Sequence, residues 1–384
     1  MKLYLLPIAV ALAAPVFAQD KKADTLVARG RYVISIAGCN DCHTPAFPMK
    51  NGKVPEAQWL TGDALGWNGA WGTTYATNLR LYMQDLTEEQ WVKKAKTLHL
   101  TEVQSLAKTP IDVAMVSVKS YDTLWATELI KPYLAEQGFV LSLQNCMNEE
   151  AIASVVGWGR TLGAVASNIS VDLFEPGRIR RTVEKGGDKH TVFRVGEPHG
   201  RITERAEALA DWFRGIDSAK ATPNLWGERW SKLVQNAMGN PITAATGMTS
   251  GDCLRDDTIR RFQIRLAGEA IKVGQALGYQ LEKMRGVDPQ LYVRALDGDK
   301  EAIAQIEAVI VPKAGANPRA AIQRPSMAQD ILKGRRTEID AMNGFVARKG
   351  HEVGVPAPSH AKIAAIVTRI ERGEIKPSPA HLKG

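Results

Sequence analysis

The sequence predicts a multidomain α+β chain: a small all-helical N-terminal domain, a partial α/β domain with a parallel sheet, and an all-helical C-terminal domain. Three observations carry this. A chain of 384 residues exceeds what one hydrophobic core usually serves. Two β-branched apolar runs, at 111–118 and 139–143, bracket a segment of helical period; such a strand–helix–strand unit implies parallel strands. Beyond about residue 212 only helical periodicity remains, punctuated by Gly and Pro. The expected boundaries are 1–18, 19–98, 99–205 and 206–384.

Composition narrows the class. Apolar residues make up 45% and charged residues 23%, which excludes disordered and collagen-like chains. The net charge of +8 is spread evenly: the first hundred residues carry 11 basic and 8 acidic side chains, the remainder 38 and 33. No basic arm of the kind that binds nucleic acid is present. A pI near 9.2 suits small anionic substrates, and ordinary surface variation explains it equally well.

Met1-Lys2, an apolar run over 3–14 and Val16-Phe17-Ala18 read as a secretory signal peptide cleaved after Ala18. The run is too short to span a membrane, and no later stretch reaches about 18 apolar residues. A periplasmic protein without a membrane span is expected, with an uncleaved anchor as the alternative.

Cys39-Asn40-Asp41-Cys42-His43 is C-x-x-C-H, the haem-attachment pattern. Two thiols at this spacing can form thioethers to the haem vinyl groups, and His43 then lies under the iron as a metal ligand. A redox dithiol or a chance pattern are the alternatives. Residues 30–37 read as a helix with Tyr32, Val33 and Ile36 on its apolar side. Four of the nine tryptophans lie between Trp59 and Trp91, as a haem-pocket wall or simply a small core. The spellings GCNDCHTP, WLTG, GWNGAWGTTYATNLR and LTEEQW resemble c-type cytochrome domains of exported bacterial dehydrogenase complexes, over residues 24–98. The resemblance implies haem c, iron and a redox partner protein. The later loop that would supply a Met ligand is missing, so the cytochrome-like domain reads as truncated. Met49, Met83 and His99 remain as distal candidates.

In the middle region, residues 121–134 read as a helix, and 164–169 as a weaker third strand. Lys119 follows the first strand and Gln144-Asn145 the second, at the carboxyl ends where open parallel sheets bind ligands. A surface lysine and a turn asparagine are the bland alternative. Helices are expected at 228–240, 256–277, 300–310, 327–349 and 359–373. Lys232, Asn236 and Asn240 recur at i, i+4 and i+8, placing an amine and two amides on one helix face. Ser326 and Asp330 share a face, with Glu338 two turns on and displaced by about 80° on a continuous helix. Each set is either a solvated stripe or the lining of a polar site.

VKSYDT, SLQN, WSKLVQNAMGNPITA, RPSMAQDILKGRRTEIDAMNGF and GVPAP, in this order over about 108–373, resemble the ketopantoate reductase (2-dehydropantoate 2-reductase) family. The resemblance implies an oxidoreductase with a Rossmann-like domain that uses NADPH to reduce a 2-keto acid to a 2-hydroxy acid, a step in pantothenate biosynthesis. It implies Lys232 as general acid and Glu338 as the carboxylate that orients cofactor and lysine. Asn236, Asn240, Ser250, Ser326 and Asp330 become substrate-side residues, and Lys119 and Asn145 cofactor-side residues. It also implies a homodimer through the helical domain. A protonated amine beside the keto oxygen stabilises the charge that hydride attack builds there.

Three departures stand out. Cys146 replaces the glycine expected after SLQN, and Ser250 stands where family members often carry Asn. No G-x-G-x-x-G turn exists; the glycines at 62, 66, 69 and 72 have the wrong spacing. The α/β part is therefore expected to be a Rossmann-like remnant with an exposed strand edge and an uncovered apolar face, binding NADP(H) weakly. Both resemblances break near 99–108. Three readings follow: a ketopantoate-reductase-like enzyme fused to a haem c domain, an exported c-type haem electron-transfer protein, or a fusion without activity.

Overall fold

The computed structural model describes residues 100–311 and 324–383 apart from 168, 170, 176, 177, 182 and 285, with segments 3–4, 53–60, 63–69 and 72–76 and residues 44, 50 and 98. Cys39, Cys42, His43, Met49, Met83 and His99, together with the helix expected at 30–37, lie outside these residues.

The strands are β1 (Leu3–Tyr4), β2 (Asp63–Gly69), β3 (Gly72–Ala76), β4 (Ile111–Val116), β5 (Leu134–Ser142), β6 (Thr161–Ala166), β7 (Val171–Glu175), β8 (Arg178–Arg181), β9 (Phe193–Gly196) and β10 (Ala219–Thr222). Six of them form one sheet in the order β1-β4-β5-β6-β9-β10. β1, β4, β5 and β6 run parallel; β9 returns antiparallel to β6, and β10 lies parallel to β9. β4 and the end of β5 are apolar without alternation because both faces of the sheet are covered.

Helices α1 (Thr123–Ile130) and α2 (Glu149–Val156) supply one cover. Ile130 and Ile152 pack there with Ala114, Val116 and Val140, joined by Val103 and Leu106 from the 3-10 turns at Leu100–Lys108. Helix α3 (Glu204–Arg214) covers the opposite face, setting Leu209 and Phe213 against Val113, Leu141, Leu162 and Val195.

These observations correct three expectations. The apolar face is covered, and the β4 edge carries β1, paired Leu3 to Val113 and Tyr4 to Ala114. The sheet therefore has six strands rather than a remnant, and it is mixed rather than wholly parallel. Within the segment read as all-helical, β2 and β3 pair as an antiparallel hairpin, with Gly69 opposite Gly72. The Thr-Thr-Tyr run in GTTYA has a higher propensity for strand than for helix.

The C-terminal domain is helical, as the periodicity implied. Its elements are α4 (Leu225–Thr246), α5 (Ser250–Arg255), α6 (Asp257–Ala276), α7 (Pro289–Leu296), α8 (Lys300–Ile310), α9 (Ser326–Leu332), α10 (Phe345–Glu352) and α11 (Pro358–Glu371). α4 is the central rod, buried along most of its length. Trp230 is fully buried and donates from Nε1 to the Ala270 carbonyl at 2.9 Å. Gly274 makes that crossing possible, since a Cβ there would stand 2.4 Å from the indole nitrogen. His360 ties the rear of the domain: Nε2 meets the Leu266 carbonyl at 2.8 Å and Nδ1 meets Asn343 Nδ2 at 3.1 Å, while the same amide donates to the Ala237 carbonyl on α4.

The single helix expected over 327–349 is broken. α9 stops at Leu332, Gly334 takes φ +61°, and the backbone N–H of Thr337 is claimed by the Glu371 carboxylate. A π-helical turn, Asp340–Gly344, then leads into α10. The 80° offset between Asp330 and Glu338 on a continuous helix therefore does not apply.

Candidate active site

The site forms where the carboxyl ends of β4 and β5 meet α4 and the broken segment after α9. Lys119 leaves β4 and reaches across the domain boundary. Its ammonium lies 2.5 Å from Asp330 Oδ2 and 3.4 Å from Glu338 Oε2. Glu338 Oε1 accepts from both the backbone N–H and the hydroxyl of Ser120, each at 2.9 Å. Burial works against the Lys119 ammonium, but the Glu338 and Asp330 carboxylates outweigh it and hold its pKa above the ordinary lysine value. Burial pushes the Asp330 carboxyl up, and the partial compensation by Lys119 does not reverse that.

A second cluster joins the loop after β5 to α4. Arg229 is 1% exposed and pairs with the fully buried Glu149. It also donates to the carbonyls of Gln144, at 2.6 Å, and Ser142, at 3.2 Å. Two turns along α4, Asn236 Nδ2 donates to Asn145 Oδ1 at 3.2 Å. Lys232 lies between them on the helix, three residues after Arg229 and four before Asn236, and is half-buried. The loop is tied by its own side-chain hydrogen bonds. Gln144 Nε2 donates to the Val118 carbonyl and Thr123 Oγ1, and Asn148 Nδ2 to the Asn145 carbonyl.

Cys146 adopts φ +65°, the left-handed conformation for which glycine is suited, so the turn keeps its shape despite the side chain. Burial pushes the Cys146 thiol up to about 12, leaving it a protonated packing group.

Most of the residues singled out from the sequence converge. Lys119, Asp330 and Glu338 share one cluster; Asn145 and Asn236 share a hydrogen bond beside Lys232. Asn240 follows one turn further along α4, half-buried, and Ser326 opens α9 one turn before Asp330 on the exposed side. Ser250, half-buried, begins α5 after the chain reverses at Gly247 beyond the C-terminal end of α4. Sequence reasoning passed over Ser120, Arg229 and Glu149. Ser120 stands beside Lys119 in VKSYDT, a usable signal, whereas nothing local marks Arg229 as buried.

A cleft of about 250 Å³ opens beside Glu338 and Ser120, bounded by Tyr121, Asn148 and Phe345 and edged by Arg336 and Arg348. Among the described residues, no group of three or more His, Cys, Asp or Glu could hold a metal ion, and no helix is long and apolar enough to cross a membrane.

A mixed sheet feeding an interdomain cleft, with a lysine–carboxylate cluster at the strand ends and an amide-bearing helix opposite, defines a two-domain architecture of the Rossmann-like class. Residues 69–193 match the ketopantoate reductase PanE/ApbA family and residues 224–371 its C-terminal domain; the chain carries both domains of that family. The first match starts inside the stretch resembling a cytochrome. The chain is 29% identical over 266 residues to a 2-dehydropantoate 2-reductase of Archaeoglobus fulgidus, spanning 68% of this chain and 77% of that one. It superposes on the 2-dehydropantoate 2-reductase of Geobacter metallireducens with a TM-score of 0.54 at 26% identity, covering 72% and 81% of the two chains. D-mandelate dehydrogenase shares the fold, with a TM-score of 0.59 at 17% identity over 90% of this chain and 95% of the other.

Proposed function

We propose that the chain is an NADPH-dependent reductase of 2-keto acids, of the 2-dehydropantoate type. The observation that carries this is two polar clusters at the strand ends, Lys119 with Asp330 and Glu338, and Asn145 with Asn236 one turn from Lys232, linked by Asn148, which donates to the Asn145 carbonyl and to Ser120 Oγ. The carboxyl ends of β4 and β5 suit the nicotinamide side of a dinucleotide, with Lys119 and Asn145 as the contacting residues. The phosphate side is poorer: the sequence holds no glycine-rich turn, and the Ser120 N–H is engaged by Glu338.

Lys232 is the general acid in this reading. Its ammonium stabilises and protonates the alkoxide that develops on the keto carbon's oxygen. Asn236 and Asn240 hold the substrate's carbonyl and hydroxyl groups, with Ser250, Ser326 and Asp330 as the further substrate-side residues. Glu338 keeps Lys119 in place. Bound NADPH supplies the hydride.

Loss of three charge-assisted hydrogen bonds to the pyrophosphate, at about 1.5–3 kcal/mol each, weakens cofactor binding by about 5–9 kcal/mol. That moves a micromolar dissociation constant to millimolar or weaker. Titration with NADPH, followed by nicotinamide fluorescence, tests this; micromolar binding overturns the weak-cofactor reading. Ketopantoate-dependent NADPH oxidation at millimolar cofactor tests the reductase reading. Its absence there leaves the inactive fusion.

A second reading rests on Cys39-Asn40-Asp41-Cys42-His43: haem c held covalently by both thiols, with His43 on the iron, in a chain exported on its leader to the periplasm. Expression with haem-maturation machinery should then give colour that survives denaturation. Loss of colour on acid–acetone extraction would count against it.

A further inference from the structure

We infer that the cleft between the two domains is an anion-binding site in which Arg336 and Arg348 receive a carboxylate or phosphate group. The inference rests on the reductase reading only for the ligand's place in a reaction; the site itself is argued from charge and geometry.

The inner end of the cleft is negative. Glu338, which lines it, already shares the Lys119 ammonium with Asp330, so one ammonium faces two carboxyl groups. The outer end is positive. Arg336 and Arg348 edge the cleft, and neither forms an ion pair with a carboxylate among the described residues. Arg336 lies with its guanidinium 4.5 Å from the centre of the Tyr121 ring, while Tyr121 Oη donates to the Arg336 carbonyl at 3.4 Å. Stacking of this kind holds the guanidinium plane and leaves its edge for a bidentate acceptor. Arg348 uses Nη2 on the Asp340 carbonyl at 3.2 Å, and among the described residues its remaining N–H groups have no hydrogen-bond partner. Among the described residues, Asp340 is the one further carboxylate lining the cleft, against two guanidinium groups.

A second observation points the same way. The segment that carries Phe345 and Arg348 to the cleft enters it through the π-helical turn Asp340–Gly344. Such turns interrupt the hydrogen-bond ladder of a helix and concentrate at functional sites. Gly344 adds to this, since a Cβ there would stand 3.3 Å from the Arg348 guanidinium. Tyr121 and Phe345 wall the cleft, so the ligand has an apolar body and an anionic head. Two sources fit that chemistry: the carboxylate of a 2-keto acid and a phosphate of a dinucleotide.

Calorimetric titration of the full chain with ketopantoate, inorganic phosphate and NADP⁺ tests the site without requiring turnover. Arg336→Gln and Arg348→Gln should each weaken binding by about tenfold or more, with binding to the parent protein falling as salt rises. Arg372→Gln, at an exposed position after α11, should leave it unchanged. Loss confined to ketopantoate assigns the site to the substrate carboxylate, and loss confined to phosphate and NADP⁺ assigns it to the cofactor. Failure of the parent protein to bind any of the three, or unaltered binding by both arginine variants, overturns the inference. A protein that binds these anions through Arg348 yet oxidises no NADPH would instead refute the reductase reading alone.

Discussion

Arg229 on α4 and Glu149 at the start of α2 form an ion pair with almost no solvent contact, and the same guanidinium holds the carbonyls of Ser142 and Gln144. One side chain thus joins the helix bearing Lys232 to the loop bearing Asn145. The pair is incompletely satisfied: among the described residues, Glu149 Oε2 and Arg229 Nε have no hydrogen-bond partner. Arg229→Met should cost about 3–5 kcal/mol, because it leaves a buried carboxylate uncompensated. The double variant Arg229→Met, Glu149→Met should recover most of that in urea denaturation. A double variant no more stable than the single one would show that the carbonyl contacts dominate.

Lys119 is the ammonium shared by Asp330 and Glu338, and its folded pKa lies above the ordinary lysine value. Its stabilisation is therefore complete below the unfolded lysine pKa, near 10.4, and lost as pH rises through the folded value. Lys119→Met leaves the two carboxyl groups facing each other and raises the Asp330 pKa further. Destabilisation of about 1–3 kcal/mol is expected at pH 8, shrinking toward pH 5 as Asp330 takes up a proton. Equal destabilisation at both pH values would contradict this account.

His360 is wholly buried, and burial lowers its pKa from 6.5 to about 4 despite the hydrogen bond to the Leu266 carbonyl. The folded state therefore binds fewer protons than the unfolded state between these values, so stability falls as pH drops through that window. The loss is about 3 kcal/mol by pH 4. Chemical denaturation at pH 7, 5 and 4 measures it, and His360→Leu should flatten that part of the profile even if it is less stable throughout. An unchanged slope in the variant would assign the effect to other groups.

The Asn145–Asn236 hydrogen bond joins the β5 loop to α4 one turn after Lys232. Replacing either residue by Ala, and both together, should give a coupling of about 0.5–1.5 kcal/mol in stability. Where turnover is measurable, Lys232→Ala should lower kcat by about 100-fold or more with folding intact. A Lys232→Ala enzyme of near-parental rate would remove the lysine from the chemistry.

Local periodicity placed what local backbone geometry governs. α6, α8 and α11 fall within a residue or two of the expected ranges, and the Lys232–Asn236–Asn240 stripe lies on one helix because 3.6 residues make a turn. β4 and the end of β5 were legible as apolar runs, but that both faces of their sheet are covered was not. The third strand lies at Thr161–Ala166 instead of 164–169, and the four-residue strands β9 and β10 were too short to show a period. What only the tertiary structure decided is partnership over distance. Asp330 meets Lys119 across 211 residues because α9 ends at Gly334 and the following segment folds back toward β4, an ending that helical periodicity did not reveal. Arg229 likewise reads as an exposed helix residue until the β5 loop closes over it. Helical spacing assigns a side chain to a face, but the charge that neutralises it comes from whichever segment packs there.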